Sequence, residues 1–412
     1  MPPPAIEPFD RFVDRLHATA ASNKRALQYF DFRPDAAGQK EITDHLVGYY
    51  EGVEVVHSYV NQHGQILDCM PIDRQPASTF DGKDAPAPPL PDDPTPDFHA
   101  LMAAQTALDG NGVETRCPEG AVPILRLTLE EAVGFSDLEQ FLRLGQRQKR
   151  KPPTGDAKQE DPALAASTHR YAVGYQNVAN CGGRSRNSVW TPAMQGQDIM
   201  SLSQIWCSAG QESDNSLQTA EAGWQVYPAW YPASNGNPVF FIFRTADNYH
   251  ANSAYNNRDG LFKYMNGPTP GVVLGGTSII NGQQADLDVS YIFASGVWWL
   301  YVAGVKCGYW LSAGYGTGPM SRGGEQVMFG GETDGSGHYP AMGSGVPPAG
   351  GYRHAAYHCE IRYVDAQQQV QNANLVPFES NPGEYLTSLQ KAAAPPGGNW
   401  GSYFYFGGPA GV

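Results

Sequence analysis

The sequence predicts a mainly β protein: an antiparallel two-sheet β-sandwich domain preceded by a smaller α+β domain. Three observations carry this expectation. At 412 residues the chain exceeds the usual size of one compact domain. Its 47 Gly and 33 Pro, with an aromatic share of 11%, favour turn-rich β structure over helical bundles. A polar stretch with almost nothing to bury, residues 146–168, separates residues 1–145 from residues 169–412.

The elements follow in order. Between Glu7 and Tyr29, Phe9, Phe12, Val13, Leu16 and Leu27 are spaced for an amphipathic helix. From Gly52 the pattern turns to short alternation, and Val53 to Val60 reads as a strand. The Pro-rich stretch Ala85 to Pro96 continues neither element and is read as a loop. Leu129 to Leu144 reads as a second helix, with Thr128 as N-cap and Glu130 and Glu131 in its first turn. Within the linker, Gln146 to Pro153 carries a basic run that reads as a solvated tether and an exposed place for proteolytic separation of the domains. Strand signals then recur at Gln218 to Tyr227, Val239 to Arg244, Leu287 to Phe293, Val297 to Val305, Gln326 to Gly330, Tyr352 to Val364 and Tyr403 to Phe406. A two-sheet sandwich is the economical arrangement for so many short β runs.

A formal charge of −14 argues against nucleic acid or an anionic membrane as partner, because both call for basic patches. No apolar run approaches the roughly 20 residues of a membrane-spanning helix. Residues 169–412 hold only 11 basic against 15 acidic residues. So few cations limit the self-repulsion that builds as carboxylates protonate, which suits work in acid. Cys69, Cys117, Cys181, Cys207, Cys307 and Cys359 include no CxxC pair, which favours up to three disulfides in a secreted protein over a zinc site. Met1-Pro2-Pro3-Pro4 lacks the features of a signal peptide, so export implies a signal no longer present in this sequence.

Two acids stand in unusual surroundings. In Gln218-Thr219-Ala220-Glu221-Ala222-Gly223-Trp224-Gln225-Val226-Tyr227-Pro228, a period of two puts Trp224 and Val226 on one face and Glu221, Gly223, Gln225 and Tyr227 on the other. Glu332 follows Val327-Met328-Phe329-Gly330-Gly331, where paired glycines remove side chains and are expected to let a substrate backbone approach. Two such carboxyls can hydrolyse an amide without a cofactor or metal: an ionised one takes a proton from water while a protonated one polarises the carbonyl. Neighbouring acids share a proton, which favours activity in acid.

Other chemistries fit less well. His354 and His358, four apart, would share a strand face, but they lack the Glu of a zincin helix and read as ordinary histidines. Gly343-Ser344-Gly345 has no strand-to-helix context, and Cys207 reads as a disulfide or buried Cys rather than a nucleophile. Glu325, Asp286 and Asp288 are the fallback acids. Trp206, Trp224, Trp230, Trp298, Trp299 and Trp310 allow the rival reading of a carbohydrate-binding or structural sandwich, although their alternation favours core positions.

The chain also resembles the neprosin family of proline-directed glutamic peptidases. The resemblance rests in the first domain on Gly64-Gln65-Ile66-Leu67-Asp68-Cys69-Met70, Gln75-Pro76-Ala77 and Cys117-Pro118-Glu119-Gly120-Ala121-Val122-Pro123-Ile124. Beyond the linker it rests on Ser201-Leu202-Ser203-Gln204-Ile205-Trp206, the AGWQVYP stretch after Glu221, Trp298-Trp299-Leu300, Gly308-Tyr309-Trp310, Gly330-Gly331-Glu332, Met342-Gly343-Ser344-Gly345 and Tyr403 to Pro409. It implies a β-sandwich peptidase with Glu221 and Glu332 as the catalytic pair, cleaving proline-containing peptides after proline. Gln204, Gln225 and Tyr227 are expected to orient the carboxylates or bind the substrate backbone. Residues 1–145 are implied to be an activation domain that blocks the cleft as an intramolecular inhibitor, with Cys69 paired to Cys117. Plant members carry two cysteines around a Tyr-Asn pair; here Tyr255-Asn256 has Ala254 and Asn257 as neighbours, and the cysteine set looks bacterial or otherwise divergent.

Overall fold

The computed structural model of the chain describes residues 6–22, 36–79, 115–132, 134–143, 169–196, 198–389 and 400–409. The linker with its basic run and the Pro-rich loop fall outside these residues. The N-terminal unit contains helices α1 (Phe9–Ser22) and α2 (Ala36–Tyr49), strands β1 (His57–Val60), β2 (Ile66–Pro71) and β3 (Ala121–Leu125), and the short helices α3 (Leu129–Ala132) and α4 (Leu138–Leu142). The three strands form one antiparallel sheet in the order β1-β2-β3. In α1, Phe12 and Leu16 are fully buried, and the Phe12 ring meets Tyr50 edge-on at 5.4 Å. Helix α2 was not anticipated; Ile42, Leu46 and Tyr49 recur at helical spacing and supply its buried stripe.

The helix expected from Leu129 to Leu144 is two. Thr128 accepts from Glu131 N at 3.2 Å and caps α3 as expected. Asp137 is extended and accepts from Gln140 N at 2.8 Å, so a second N-cap starts α4 where one helix would have continued. Cys69 and Cys117 are joined, with Cα atoms 5.3 Å apart. Cys181, Cys207, Cys307 and Cys359 are unpaired, so one disulfide stands among the described residues where up to three were expected.

The C-terminal unit is mainly β. Its strands are β4 (Arg170–Ser188), β5 (Asp198–Ala209), β6 (Gln218–Val226), β7 (Val239–Thr245), β8 (Ser253–Tyr255), β9 (Phe262–Tyr264), β10 (Asp286–Ala294), β11 (Val297–Val302), β12 (Val305–Trp310), β13 (Gly324–Gly335), β14 (Ala356–Asp365), β15 (Val370–Asn372), β16 (Val376–Glu379), β17 (Leu386–Thr387) and β18 (Ser402–Gly407). The single run read from Val297 to Val305 is a hairpin, because Ala303 and Gly304 both take positive φ. Rather than two separate sheets, the strands form one curled antiparallel sheet ordered β8-β7-β6-β5-β13-β4-β10-β11-β12-β9, with β14 to β18 branching from it. Strand β4 makes this possible. Its first half pairs with β13 and β16 and its second half with β10 and β14, so one strand runs through both arms. Tyr291 of β10 donates to the Glu221 carbonyl at 3.1 Å, and Trp224 of β6 donates to the Ser188 carbonyl at 2.9 Å. The arms therefore face one another across a core that includes Trp224, Trp298 and Trp310.

Buried Asp68 holds the N-terminal unit together. Arg126 bonds it through two nitrogens at 2.5 and 2.8 Å, reaches the Glu7 carbonyl at 2.8 Å and lies over the rings of Phe9 and Phe12. Arg126→Met leaves a buried carboxylate without its partner and is expected to cost about 3–5 kcal/mol in urea denaturation. Asp68→Leu combined with Arg126→Met should recover most of that loss. An equal loss in the single and double variants would contradict this account of the knot.

Candidate active site

Register decides which side chains meet. On β5, Leu202, Gln204 and Trp206 share a face. Trp206 lies opposite Glu221 of β6, and Leu202 lies opposite Glu332 of β13. Gln204 sits between them, flanked by Gly223 on one side and Gly330 on the other. The two acids, far apart in sequence, thus stand diagonally about Gln204 on one face of three neighbouring strands. The opposite face of the same strands, with Ile205, Trp224 and Phe329, is core.

The two glycines serve the sheet itself. A Cβ at Gly223 would come within 2.0 Å of the Ser203 carbonyl oxygen, and one at Gly330, where φ is +144°, within 2.4 Å of the Ala172 carbonyl oxygen. At Gly330 neighbouring backbone, and at Gly331 the Phe406 and Met342 side chains, fill the space that the sequence reading assigned to a substrate.

Glu221 is 3% exposed. Burial raises its pKa to about 8; hydrogen bonds from Thr219, Tyr249 and Gln204 oppose that shift, while the charge of Glu332 adds to it. Thr219 Oγ1 lies 2.7 Å and Tyr249 Oη 3.1 Å from Glu221 Oε1. Tyr249 takes φ +60°, its amide held by Thr245 Oγ1 at 2.8 Å and its ring stacked on Phe243. Burial, then the nearby charge of Glu221, holds the phenols of Tyr249 and Tyr255 protonated well above the ordinary tyrosine range. Glu332, also buried, contacts His169 Nδ1 through Oε1, and His169 Nε2 stands 3.5 Å from Asp334.

Of the residues expected from the sequence, Glu221, Glu332, Gln204 and Gln225 meet on this face. The side-chain oxygens of Gln204 and Gln225 are buried without a hydrogen-bond partner. Gln225 Nε2 contacts Met200 Sδ at 3.2 Å, so Gln225 is directed away from Glu221. Tyr227 lies at the end of β6 against Trp230, with ring centroids 5.7 Å apart. Sequence reasoning missed Thr219, Tyr249, His169 and Asp334. Thr219 and Asp334 were accessible to it, standing two residues from Glu221 and Glu332 and therefore on the same strand face.

The alternatives are engaged elsewhere. His358 is fully buried between Ser185 Oγ at 3.0 Å and Ser203 Oγ at 2.9 Å, and burial lowers its pKa to about 3. His354 lies in a turn before β14, so the two histidines do not share a strand face. Asp286 pairs with Arg186 and Asp288 with Arg184, while Glu325 accepts from Gly210 N.

The N-terminal unit packs beside the site. Phe135 stacks on Trp230 with centroids 4.3 Å apart, and Arg258 pairs with Glu131 beneath the rings of Phe135 and Phe141. His45 contacts the Arg258 carbonyl at 2.7 Å, and Gln75 exchanges two 2.8 Å hydrogen bonds with the Tyr264 backbone.

Among solved structures, the chain is similar to a crystal structure of scytalido-glutamic peptidase with a transition state analog inhibitor. The TM-score is 0.31 at 7% sequence identity, covering 57% of this chain and 97% of that one. The family model for Neprosin matches residues 197–409, just over half of the sequence and the part that carries both acids, and by that match the chain belongs to the Neprosin family.

Proposed function

We propose that the protein is a secreted zymogen of a glutamic endopeptidase, cleaving peptides after proline in acid with Glu221 and Glu332 as its dyad. Family membership makes it a peptidase-type hydrolase acting on peptide or protein substrates. The finer reading rests chiefly on one observation: two buried glutamates share a strand face across Gln204, and burial keeps Glu221 protonated.

That asymmetry gives each acid a role. Glu332 takes a proton from water as the water oxygen bonds to the scissile carbonyl carbon. Glu221 donates a hydrogen bond to the carbonyl oxygen as negative charge develops there. The tetrahedral species collapses as a carboxyl proton passes to the nitrogen, the C–N bond breaks, and the dyad returns to one proton shared between two acids. The Gln204 amide donates to Glu221 and leaves its buried oxygen open to a substrate N–H. The preference for proline comes from the family resemblance.

The zymogen reading draws on the covered aromatic surface. Trp206, Trp224, Trp298, Trp299 and Trp310 are buried, while half-buried Trp230 lies under Phe135 of the N-terminal unit. A sugar-stacking platform therefore finds little support, and residues 1–145 fit the role of an inhibitor. Acid loosens this contact through His45. Burial holds His45 below its ordinary pKa, so stability contributed by the neutral ring is lost as pH falls below the ordinary histidine value. The Cys69–Cys117 bridge suits an oxidising compartment and supports secretion.

Three outcomes follow. Replacing Glu221 or Glu332 by Gln keeps shape but removes the acid, so turnover of a proline-containing peptide at acidic pH should fall at least about a hundredfold. Normal rates in both variants would reject the dyad, and chelators should leave the wild-type rate unchanged. Acidifying the full chain should release the N-terminal unit after a first cut within residues 146–168, as read by intact mass; a first cut between residues 218 and 364 would contradict the domain division.

The third outcome concerns stability. Because the folded pKa of Glu221 is about 8 against an ordinary 4.5, the folded state holds the extra proton. The contribution of Glu221 to stability is then full below about pH 4.5 and is lost as pH rises towards 8. Glu221→Gln should flatten the fall in Tm across that window, whereas an unchanged slope would argue that Glu221 titrates normally.

A further inference from the structure

The two acids are supported unequally. Glu221 is held by Thr219, Tyr249 and Gln204, whereas the hydrogen bond described for Glu332 comes from His169. His169 stands just before β4, directly after residues 146–168. The register explains its reach: Glu332 pairs with Tyr171 and Thr333 with Arg170, so the next pair along the ladder brings His169 beside Asp334. Glu332 and Asp334 are two residues apart on β13 and point to the same face. The imidazole bridges them, Nδ1 to Glu332 and Nε2 at 3.5 Å from Asp334, and is roughly parallel to the Tyr171 ring. Its side chain is only 14% exposed.

We propose that His169 is a positioning residue of the dyad, orienting Glu332 as the proton acceptor by bridging its carboxylate to that of Asp334. This rests on the reading of Glu332 as the base. A protonated imidazole donates from both nitrogens, so it can bond Glu332 and Asp334 at once, with charge assistance in a site shielded from water. One Glu332 oxygen is then fixed and the other is free for water. His169 keeps its proton throughout and exchanges none with the substrate.

The groups around the imidazole are consistent with that role. Glu332 and Asp334 face it from β13, and Tyr171 stacks from β4. Glu221, Tyr249 and Tyr255 lie beyond Glu332, and burial keeps all three protonated. The adjacent cation, Arg170, is spent on Glu384 and lies over the Tyr339 ring. Glu332 and Asp334 are both in contact with the one ring.

The test measures cleavage of a quenched proline-containing peptide across pH by the acid-processed protein, using His169→Ala, His169→Asn and Asp334→Asn. His169→Ala should lower kcat about ten- to a hundredfold, the scale of a misplaced catalytic group, with KM within about twofold. His169→Asn keeps a donor near Nδ1, so kcat should largely return with KM unchanged. Asp334→Asn should lower kcat less than His169→Ala does.

Wild-type kcat in His169→Ala, or a His169→Asn enzyme no faster than His169→Ala, would overturn the proposal, as would a faster His169→Ala enzyme, which would make the contact inhibitory. If His169→Ala fails to fold, Asp334→Asn decides: the bridge predicts a lowered kcat with KM within about twofold, and an unchanged kcat rejects it. Glu332→Gln in the same assay keeps the two readings apart. Loss of activity there with unaltered histidine variants rejects only the role of His169, whereas full activity in Glu332→Gln rejects the dyad itself.

Discussion

The constraint on which the rest depends is the antiparallel register of β6, β5 and β13. With a side-chain period of two, a one-residue slip of either outer strand would turn its glutamate into the apolar core and bring a core residue out. Gly223 and Gly330 secure that register beside Gln204, because neighbouring backbone occupies the space of a Cβ at each. The site is therefore a property of strand pairing. Strand β4 extends the same logic: it pairs with β13 at one end and with β10 and β14 at the other, tying the acid-bearing strands to the layer behind them.

Electrostatics separate Glu221 from the other buried charges. Arg186 bonds Asp286 and Glu360, Arg244 bonds Asp259, and Arg258 bonds Glu131. These pairs offset the cost of taking ions out of water. Glu221 is surrounded instead by neutral hydroxyl and amide donors and a second acid, so it avoids that cost by staying protonated. The environment that makes its charge costly is also what makes it a proton donor.

Much of this was legible in the sequence. Runs rich in β-branched and aromatic residues marked β6, β7, β10, β11, β13, β14 and β18, and alternation assigned Glu221, Gln225 and Trp224 to their correct faces. Strand β4 escaped because Gln176, Asn177, Asn180 and its glycines look like loop; its place between neighbours on both edges, rather than its composition, makes it a strand. In β5, Ser201, Ser203 and Ser208 broke the apolar signal although all three are buried. No spacing rule could pair Glu221 with Glu332, since that depends on which strands become neighbours. Tyr249 reaches the site from a left-handed turn, and His169 from the edge of the linker. Residues placed by loops leave no periodic trace.

The claim at the centre of this account is that Glu221 is a neutral acid in the folded protein where an exposed glutamate is an anion. Carbon-13 NMR of side-chain carboxyls, followed by pH titration of the folded protein, observes this directly. The account predicts a glutamate carboxyl still protonated at about pH 6, titrating near pH 8, absent in Glu221→Gln and present in Glu332→Gln. A spectrum in which Glu221→Gln removes only a carboxyl already ionised at that pH would contradict it.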